Sequence, residues 1–372
     1  MIPVLFKSTP DPVRLKASNG TYLKAYNGTD LYATGRWFNA MDFSSYGIGA
    51  LSEAVSCMVS EERNGEYELE LQYPSTGKYY EGIESRGIIL AKPNQSDDPQ
   101  PFRIYQISIP INGLVTVRAA HISYDLTNVP VGPFTASTAS DACTGLMDYA
   151  EFTNPFTITT DLTTEASFAV NVPSSVRSWF GGKEGSMVDA FGGEWHFDGY
   201  TCTLKASRGQ DRGMMIRYGY NLTDINQETN ISNMYTGVLP YWVDNQTGEV
   251  VSGQTINVPG TFGFRRIYCY DVTQFFPSAP TKEQLQGKAR SYINTNNIGV
   301  PNINITLDWV QTNETIDLCD TVAVTFERLG IQAKAKCIRT VWDVLKDRYD
   351  SFQFGDAKPT IAETIVELQR RK

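Results

Sequence analysis

The chain has 372 residues, 41% apolar and 12% aromatic, with 41 acidic side chains against 32 Lys and Arg. That length supports roughly two to four domains with cores of their own. The formal charge of −9 argues against a broadly basic surface for nucleic acid or anionic membranes. It fits ordinary solubility, or an acidic wall past which DNA slides without sticking.

No run approaches the roughly 18 apolar residues of a spanning helix, and the opening Met1-Ile2-Pro3-Val4-Leu5-Phe6-Lys7 lacks the basic start and the length of a secretory signal. Cys57, Cys143, Cys202, Cys269, Cys319 and Cys337 are scattered singly with no C-x-x-C. They read as reduced core residues. Eight N-x-S/T sequons, beginning at Asn19 and Asn27, carry no weight without a secretion signal.

In chain order, Leu15, Ala17, Tyr22, Leu23 and Ala25 flank two turn signals, Asn19-Gly20 and Asn27-Gly28. The strongest local signal follows at 58–73. Asn64-Gly65 predicts a type I′ turn with both residues at positive φ. Beyond it Tyr67, Leu69, Leu71 and Tyr73 alternate with Glu66, Glu68, Glu70 and Gln72, an apolar face against a solvated one, until Pro74 ends the strand. This hairpin completes a first barrel-like β domain over 1–118.

An α+β insert is expected over 119–206. Residues 141–149 read as a helix with Ala142, Leu146 and Tyr149 on one face. Ser174 is expected to cap a short helix carrying Val176, Trp179 and Phe180, stopped by Gly181-Gly182. Ser186 opens another with Met187 and Phe191, stopped by Gly192-Gly193. Trp195 and Phe197 then share a strand face, Asp198-Gly199 turns, and Tyr200, Cys202 and Leu204 line the return.

Residues 207–238 are β-like. A second α+β insert spans 239–300, with strands at Val250, Val251 and Ile256. Its helix opens on a Thr281/Gln284 capping box and presents Leu285, Ala289, Tyr292 and Ile293. A second β-barrel region occupies 301–357, where Val322 and Val324 and then Ile331, Ala333, Ala335 and Cys337 alternate. Thr360 and Glu363 open a C-terminal helix or linker over 358–372. Ile361, Ile365 and Leu368 form a short heptad seam there, the candidate oligomer interface. The seam fits a trimeric stalk or a helix packed back on the body.

An ordered set of stretches carries a family resemblance. It comprises the hairpin-like run Gly82-Ile83-Glu84-Ser85-Arg86-Gly87-Ile88-Ile89-Leu90-Ala91, then Asn94, Gln100-Pro101-Phe102-Arg103-Ile104-Tyr105 and Ala119-Ala120-His121-Ile122-Ser123-Tyr124-Asp125-Leu126. Further on come Gly192-Gly193-Glu194-Trp195 with Asp198, then Arg208-Gly209-Gln210-Asp211-Arg212-Gly213 ahead of Ile216 and Tyr218, and Asp320-Thr321-Val322. The chain resembles the N-terminal hub region of siphophage tail-tip proteins, the tail-associated lysin or prophage endopeptidase tail family, similar to the myophage baseplate hub protein.

The resemblance implies a mainly β fold in which two barrel-like domains bracket two small inserts and a short C-terminal helix follows, with 207–238 returning to the first barrel. It implies a virion protein at the distal end of the tail, assembled in the host cytoplasm. Three copies would form a pseudo-sixfold ring that closes the tail tube, adapts it to a threefold tip and opens for DNA ejection. The implied partners are the homotrimer, the distal tail protein hexamer, the tape-measure protein, receptor-binding proteins or host cell wall, and DNA passing without specific binding. In the family, wall hydrolysis belongs to C-terminal extensions, and this sequence stops at Lys372, so no enzymatic activity is expected.

The residues themselves give no strong catalytic signal. Glu194, His196 and Asp198 could face a metal at i, i+2, i+4 spacing, but no HExxH and no further His accompany them. No serine sits in a G-x-S-x-G elbow, and no cysteine carries a reactive signature. The 181–186 stretch lacks phosphate-loop order and reads as paired helix stops. The acid pairs Glu61-Glu62, Asp97-Asp98 and Asp317/Asp320 read as solvated turn residues. No catalytic, cofactor or metal residue is assigned. A wall hydrolase, and a wall-binding module stacking Tyr235, Tyr241 and Trp242 on sugars, are the alternatives to the hub.

Overall fold

In the computed structural model the described residues are 1–7, 13–14, 32–33, 40–109, 111, 113–217, 222–230, 234–244, 246–260, 262–296, 298–299, 302–309, 316–326 and 331–355. The first β region contains β1 (Val4–Phe6), β2 (Gly49–Ala50), β3 (Ser56–Glu62), β4 (Tyr67–Pro74), β5 (Ile88–Ala91), β6 (Gln100–Ser108) and β7 (Leu114–His121). The first insert contributes β8 (Phe134–Thr138), α1 (Ala139–Asp148), β9 (Thr157–Thr160), β10 (Glu165–Val170), α2 (Met187–Phe191), β11 (Glu194–Asp198) and β12 (Thr201–Lys205). Next come β13 (Asp211–Arg217) and β14 (Leu222–Asn230). The second insert holds β15 (Gly237–Val243), β16 (Val250–Ser252), β17 (Ile256–Asn257), β18 (Ile267–Asp271) and α3 (Lys282–Thr295). The last region is β19 (Asn302–Trp309), β20 (Thr321–Phe326), β21 (Ile331–Asp343) and β22 (Arg348–Phe354).

The hairpin β3–β4 lies at the middle of a 13-stranded sheet. Tyr67, Leu69, Leu71 and Tyr73 are each at most 1% exposed, as period 2 requires. The opposite face is half-buried rather than solvated. Arg339 donates to Glu66 at 3.4 Å, Tyr105 Oη to Glu68 at 2.8 Å and Arg118 Nε to Glu70 at 3.1 Å. Neighbouring strands supply these partners, so alternation alone could not show them.

The turn also departs from the I′ expectation. Asn64 takes φ of 57°, whereas Gly65 does not enter the left-handed region. Gly65 N donates to Glu62 O at 3.0 Å, and Glu62 N to Glu66 O at 2.7 Å. The Asn64 side chain explains the choice. Its Nδ2 donates to Gly193 O at 3.0 Å and its Oδ1 accepts from Trp195 N at 2.8 Å. The turn is thus tied to the first insert.

From β4 the sheet runs antiparallel through β7, β6, β5, β1 and β2. The 82–91 run gives one strand, β5, not a hairpin; Arg86, at φ 70°, turns the chain before it. From β3 the sheet continues through β21, β22, β19 and β14. β21 also pairs with β20, and β20 takes β13 in parallel. The mainly β class with α+β inserts is borne out. The turn signals at Asn19-Gly20 and Asn27-Gly28, and the helix expected at 358–372 with Ile361, Ile365 and Leu368, lie outside the described residues.

In the first insert, Thr138 caps α1 by accepting from Asp141 N at 3.1 Å, and Ala142 and Leu146 are buried. Tyr149 ends the helix 54% exposed, its ring stacked on Phe134 at 5.2 Å, so it is not on the buried face. Ser175, not Ser174, caps the turn carrying Val176 and Trp179. Ser174 pairs with Val131 in a short bridge instead. Ser186 caps α2 and Gly192 ends it, as read. Trp195 and Phe197 stack at 6.0 Å over a face shared with Cys202 and Leu204.

The second insert is built as its caps predicted. Thr281 Oγ1 accepts from Gln284 N at 3.3 Å, and Gln284 Oε1 from Thr281 N at 2.8 Å. α3 packs Leu285 and Ala289 against Val238, Trp242, Tyr270 and Val272.

Replacing Asn64 by Gly keeps the left-handed turn accessible but deletes both side-chain hydrogen bonds to the insert. Urea titration should show unfolding free energy reduced by about 1–3 kcal/mol. An unchanged midpoint would mean that the residue supplies turn shape alone.

Candidate functional site: a charged seam at Arg208

Where the chain leaves β12 it runs through Ser207, Arg208, Gly209 and Gln210 before β13. Gly209 fits because nothing larger can. A Cβ there would lie 2.0 Å from the Cys319 carbonyl carbon and 2.3 Å from Asp320 N. Gln210 N donates to Asp320 Oδ1 at 2.9 Å, and Thr321 N to Gln210 O at 3.0 Å. Asp320 Oδ2 accepts from Asp317 N at 2.9 Å, and Asp320 O accepts from Cys337 N at 2.7 Å. Two stretches far apart in sequence, Arg208 to Asp211 and Asp320 to Val322, therefore meet backbone to backbone.

This contact aims the Arg208 side chain into the sheet. Its Nη1 and Nη2 donate to the two carboxylate oxygens of Glu61 at 2.5 and 3.1 Å, and Glu61 is 3% exposed. Burial works against the guanidinium charge, yet the Glu61 carboxylate more than offsets it and holds the Arg208 pKa above its ordinary value. Asp97 Oδ2 lies 3.6 Å from Nη2, and Asp97 Oδ1 lies 3.7 Å from His196 Nε2. Asn94 Nδ2 donates to Asp97 at 2.8 Å. Burial raises the Asp97 pKa, but the neighbouring His196, the Asn94 hydrogen bond and the Arg208 charge win, bringing it to about 2.

Glu194 closes the seam from β11. It accepts from Arg208 N at 2.8 Å and from Lys336 Nζ at 2.5 Å, with Arg63 at 3.7 Å. Against its burial, these partners keep its pKa lowered. Behind it, Gln100 Nε2 donates to Asp198 at 2.9 Å while Gln100 Oε1 accepts from Gly199 N at 2.6 Å. His121 stacks on Tyr67 at 4.5 Å; burial drives its pKa well down and leaves it neutral.

Glu194, His196 and Asp198 do share a strand face, but each has a separate protein partner: Lys336, Asp97 and Gln100. Among the described residues no group of three or more His, Cys, Asp or Glu is arranged for a metal. His121 Nδ1 and Ser123 Oγ are 3.0 Å apart, yet both residues are fully buried, out of a substrate's reach. Burial raises the thiols of Cys143, Cys202 and Cys319 to about 12, so they stay protonated.

At 181–186, Lys183 rests 3.3 Å from the Trp179 ring centroid, and α2 behind it is only 5 residues long. Glu61 and Asp320, expected in solvent, are instead interior partners. Trp242, weighed as a sugar platform, is core, with Nε1 donating to Phe276 O at 2.9 Å. Tyr235 and Tyr241 are half-buried, and Tyr235 carries Arg266 at 4.6 Å.

Residues 210–365 match the family described as prophage endopeptidase tail. The resemblance read from the sequence is borne out. The matched region begins at Gln210 and includes Asp320, Lys336 and β21, so the seam joins the prophage endopeptidase tail region to the first β region and insert. The fold is shared with three tail proteins. The prophage tail protein gp18 of Listeria monocytogenes EGD-e is 15% identical, with 86% of this chain and 94% of that one covered at a TM-score of 0.57. The prophage MuSo2 43 kDa tail protein of Shewanella oneidensis is 9% identical, covering 81% and 94% at 0.57. The tail protein of Neisseria meningitidis MC58 is 11% identical, covering 82% and 92% at 0.56. No curated protein matches the chain.

Arg208→Met strands the Glu61 charge in the interior and should cost about 3–5 kcal/mol in a denaturant titration. Arg208→Met with Glu61→Leu should recover most of that loss, and equal instability of the two variants would refute the pairing. Asp97 has a folded pKa below its ordinary value, so its stabilisation is present above about pH 4 and fades as pH falls towards 2. Asp97→Asn should flatten this acid limb by about 2 kcal/mol. An unaltered acid limb would place the sensitivity elsewhere.

Proposed function

We propose that the chain is the structural hub of a phage or prophage tail tip. Three copies form a ring that closes the tail tube, adapts a sixfold tube to a threefold tip and opens for DNA ejection. The observation that carries this reading is the prophage endopeptidase tail region knitted strand to strand, through β21 and β3, into the first β region. A hub needs such a rigid body, with its inserts set off to the side. The fold common to three tail proteins supports it.

In this reading 1–118 and 301–357 are the two barrel domains, with β13 and β14 of 207–238 paired to strands of the second rather than completing the first, 119–206 and 239–300 are the inserts, and 358–372 is the helix or linker. Ile361, Ile365 and Leu368 are an auxiliary oligomer seam. The partners are the distal tail protein hexamer, the tape-measure protein, and receptor-binding proteins or host wall. DNA passes without specific binding, in keeping with the charge of −9. The role is structural rather than hydrolytic, carried out at the distal end of the virion tail after assembly in the host cytoplasm.

Light scattering should give a mass near three times 41.5 kDa at micromolar protein and again at tenfold dilution. Removing 359–372 should leave that mass tripled. A monomer that stays monomeric even on distal tail protein rings would overturn the hub, and so would a cleared zone on a host-wall zymogram.

A further inference from the structure

The described apolar interior falls into two separate cores. One runs through the large sheet and the first insert, and the other is confined to the second insert around Val238, Trp242, Val272 and Leu285. Where the inserts meet, the chemistry changes. Residues 183–189 of the first insert meet β18, the turn Thr273–Phe275 and α3 through polar groups, and β10 also lies against that turn. Tyr268 Oη donates to Glu184. Gly185, at φ 74°, leaves room for the Gln274 side-chain amide, which lies 2.2 Å from where a Cβ would stand. Asp189 accepts from Gly185 N at 2.7 Å and is drawn to Lys288, whose ammonium rests 4.0 Å from the Phe275 ring centroid.

A junction of this kind parts more easily than a core. Hydrogen-bonding and charged groups regain water partners on separation, so the net loss per bond is small. Separating apolar surfaces has no such compensation. On the second insert's side the contact is a stacked tyrosine group, Tyr235 on Tyr268 at 5.0 Å, Tyr268 on Tyr292 at 5.4 Å and Tyr292 on Tyr270 at 4.2 Å. These rings brace one another within the second insert.

We propose that the second insert is a hinged cover, clasped to the first by Glu184, Gly185 and Asp189 against Tyr268, Gln274 and Lys288, and that it swings open as a rigid body while both cores stay folded. Opening turns the Tyr268 face and the Glu184 and Asp189 carboxylates to solvent. The device belongs to the single chain and goes beyond the hub reading, so a failed trimer test leaves it standing.

Covalent footprinting of side chains on the full chain, read by mass spectrometry, tests it, with a carbodiimide for carboxylates and hydroxyl radicals for tyrosine. Backbone amides on both sides bond within their own insert and would stay protected, whereas Asp189 and Tyr268 change exposure on opening. Glu184→Gln should speed labelling of Asp189 and Tyr268 together, about tenfold or more, with Tyr67 of β4 unchanged. Gly185→Ala should do the same by driving a methyl into Gln274. A disulfide between Gly185→Cys and Gln274→Cys should slow labelling of both. Labelling of Asp189 and Tyr268 unchanged in Glu184→Gln and in the disulfide variant would overturn the cover, as would acceleration confined to one of the two inserts.

Discussion

The buried pair of Arg208 and Glu61 is the constraint on which the rest of the sheet depends. Glu61 occupies an inward position of β3, in line with Cys57 and Val59. A carboxylate there is tolerable only with a cation brought to it, because an unpaired charge in the interior is very costly. The cation comes from a linker 147 residues away, which Gly209 presses against the Cys319–Asp320 backbone. A one-residue slip of β3 would turn Glu61 to solvent together with Cys57 and Val59, and leave Arg208 unpaired. Ion pair and strand register thus enforce each other.

The parts of the fold that were legible in the sequence are those decided within a few residues. The alternation of Tyr67, Leu69, Leu71 and Tyr73, the Ser186 cap with its glycine stop, and the Thr281/Gln284 box all form as read, because each partner lies within a turn or a strand. Misreadings arose where a distant residue intervened. Asn64 takes the expected left-handed φ but Gly65 does not, and the Asn64 side chain is held by backbone groups of Gly193 and Trp195. Ser174 gave up its capping position to pair with Val131.

The seam was half visible. Arg208 and Asp320 stood out through family resemblance, whereas Glu61 was set aside as one of a solvated pair. A signal was nonetheless present in β3, where the buried register of Cys57 and Val59 continues into an acid. An acid in phase with a buried face calls for a basic partner elsewhere in the chain. What sequence could not supply is which of the 32 Lys and Arg residues answers it, because that depends on how β13 and β20 align.

The positions of the first insert's two ends have a consequence for how such proteins diversify. The chain leaves the sheet after His121 on β7 and returns at Arg208 against Glu61 on β3. β4 lies between these strands, with Glu68 opposite Ala120 and Tyr67 opposite Glu61. The two strands are therefore about 10 Å apart, two strand spacings, and the returning chain stands within the reach of one arginine side chain from β3. A segment whose ends already lie this close can be exchanged for a longer or shorter one at little entropic cost in closing the loop. Recombination at these two points would graft a new module onto an unchanged sheet, provided the incoming piece restores a partner for Asn64 and carries the arginine back to its acid.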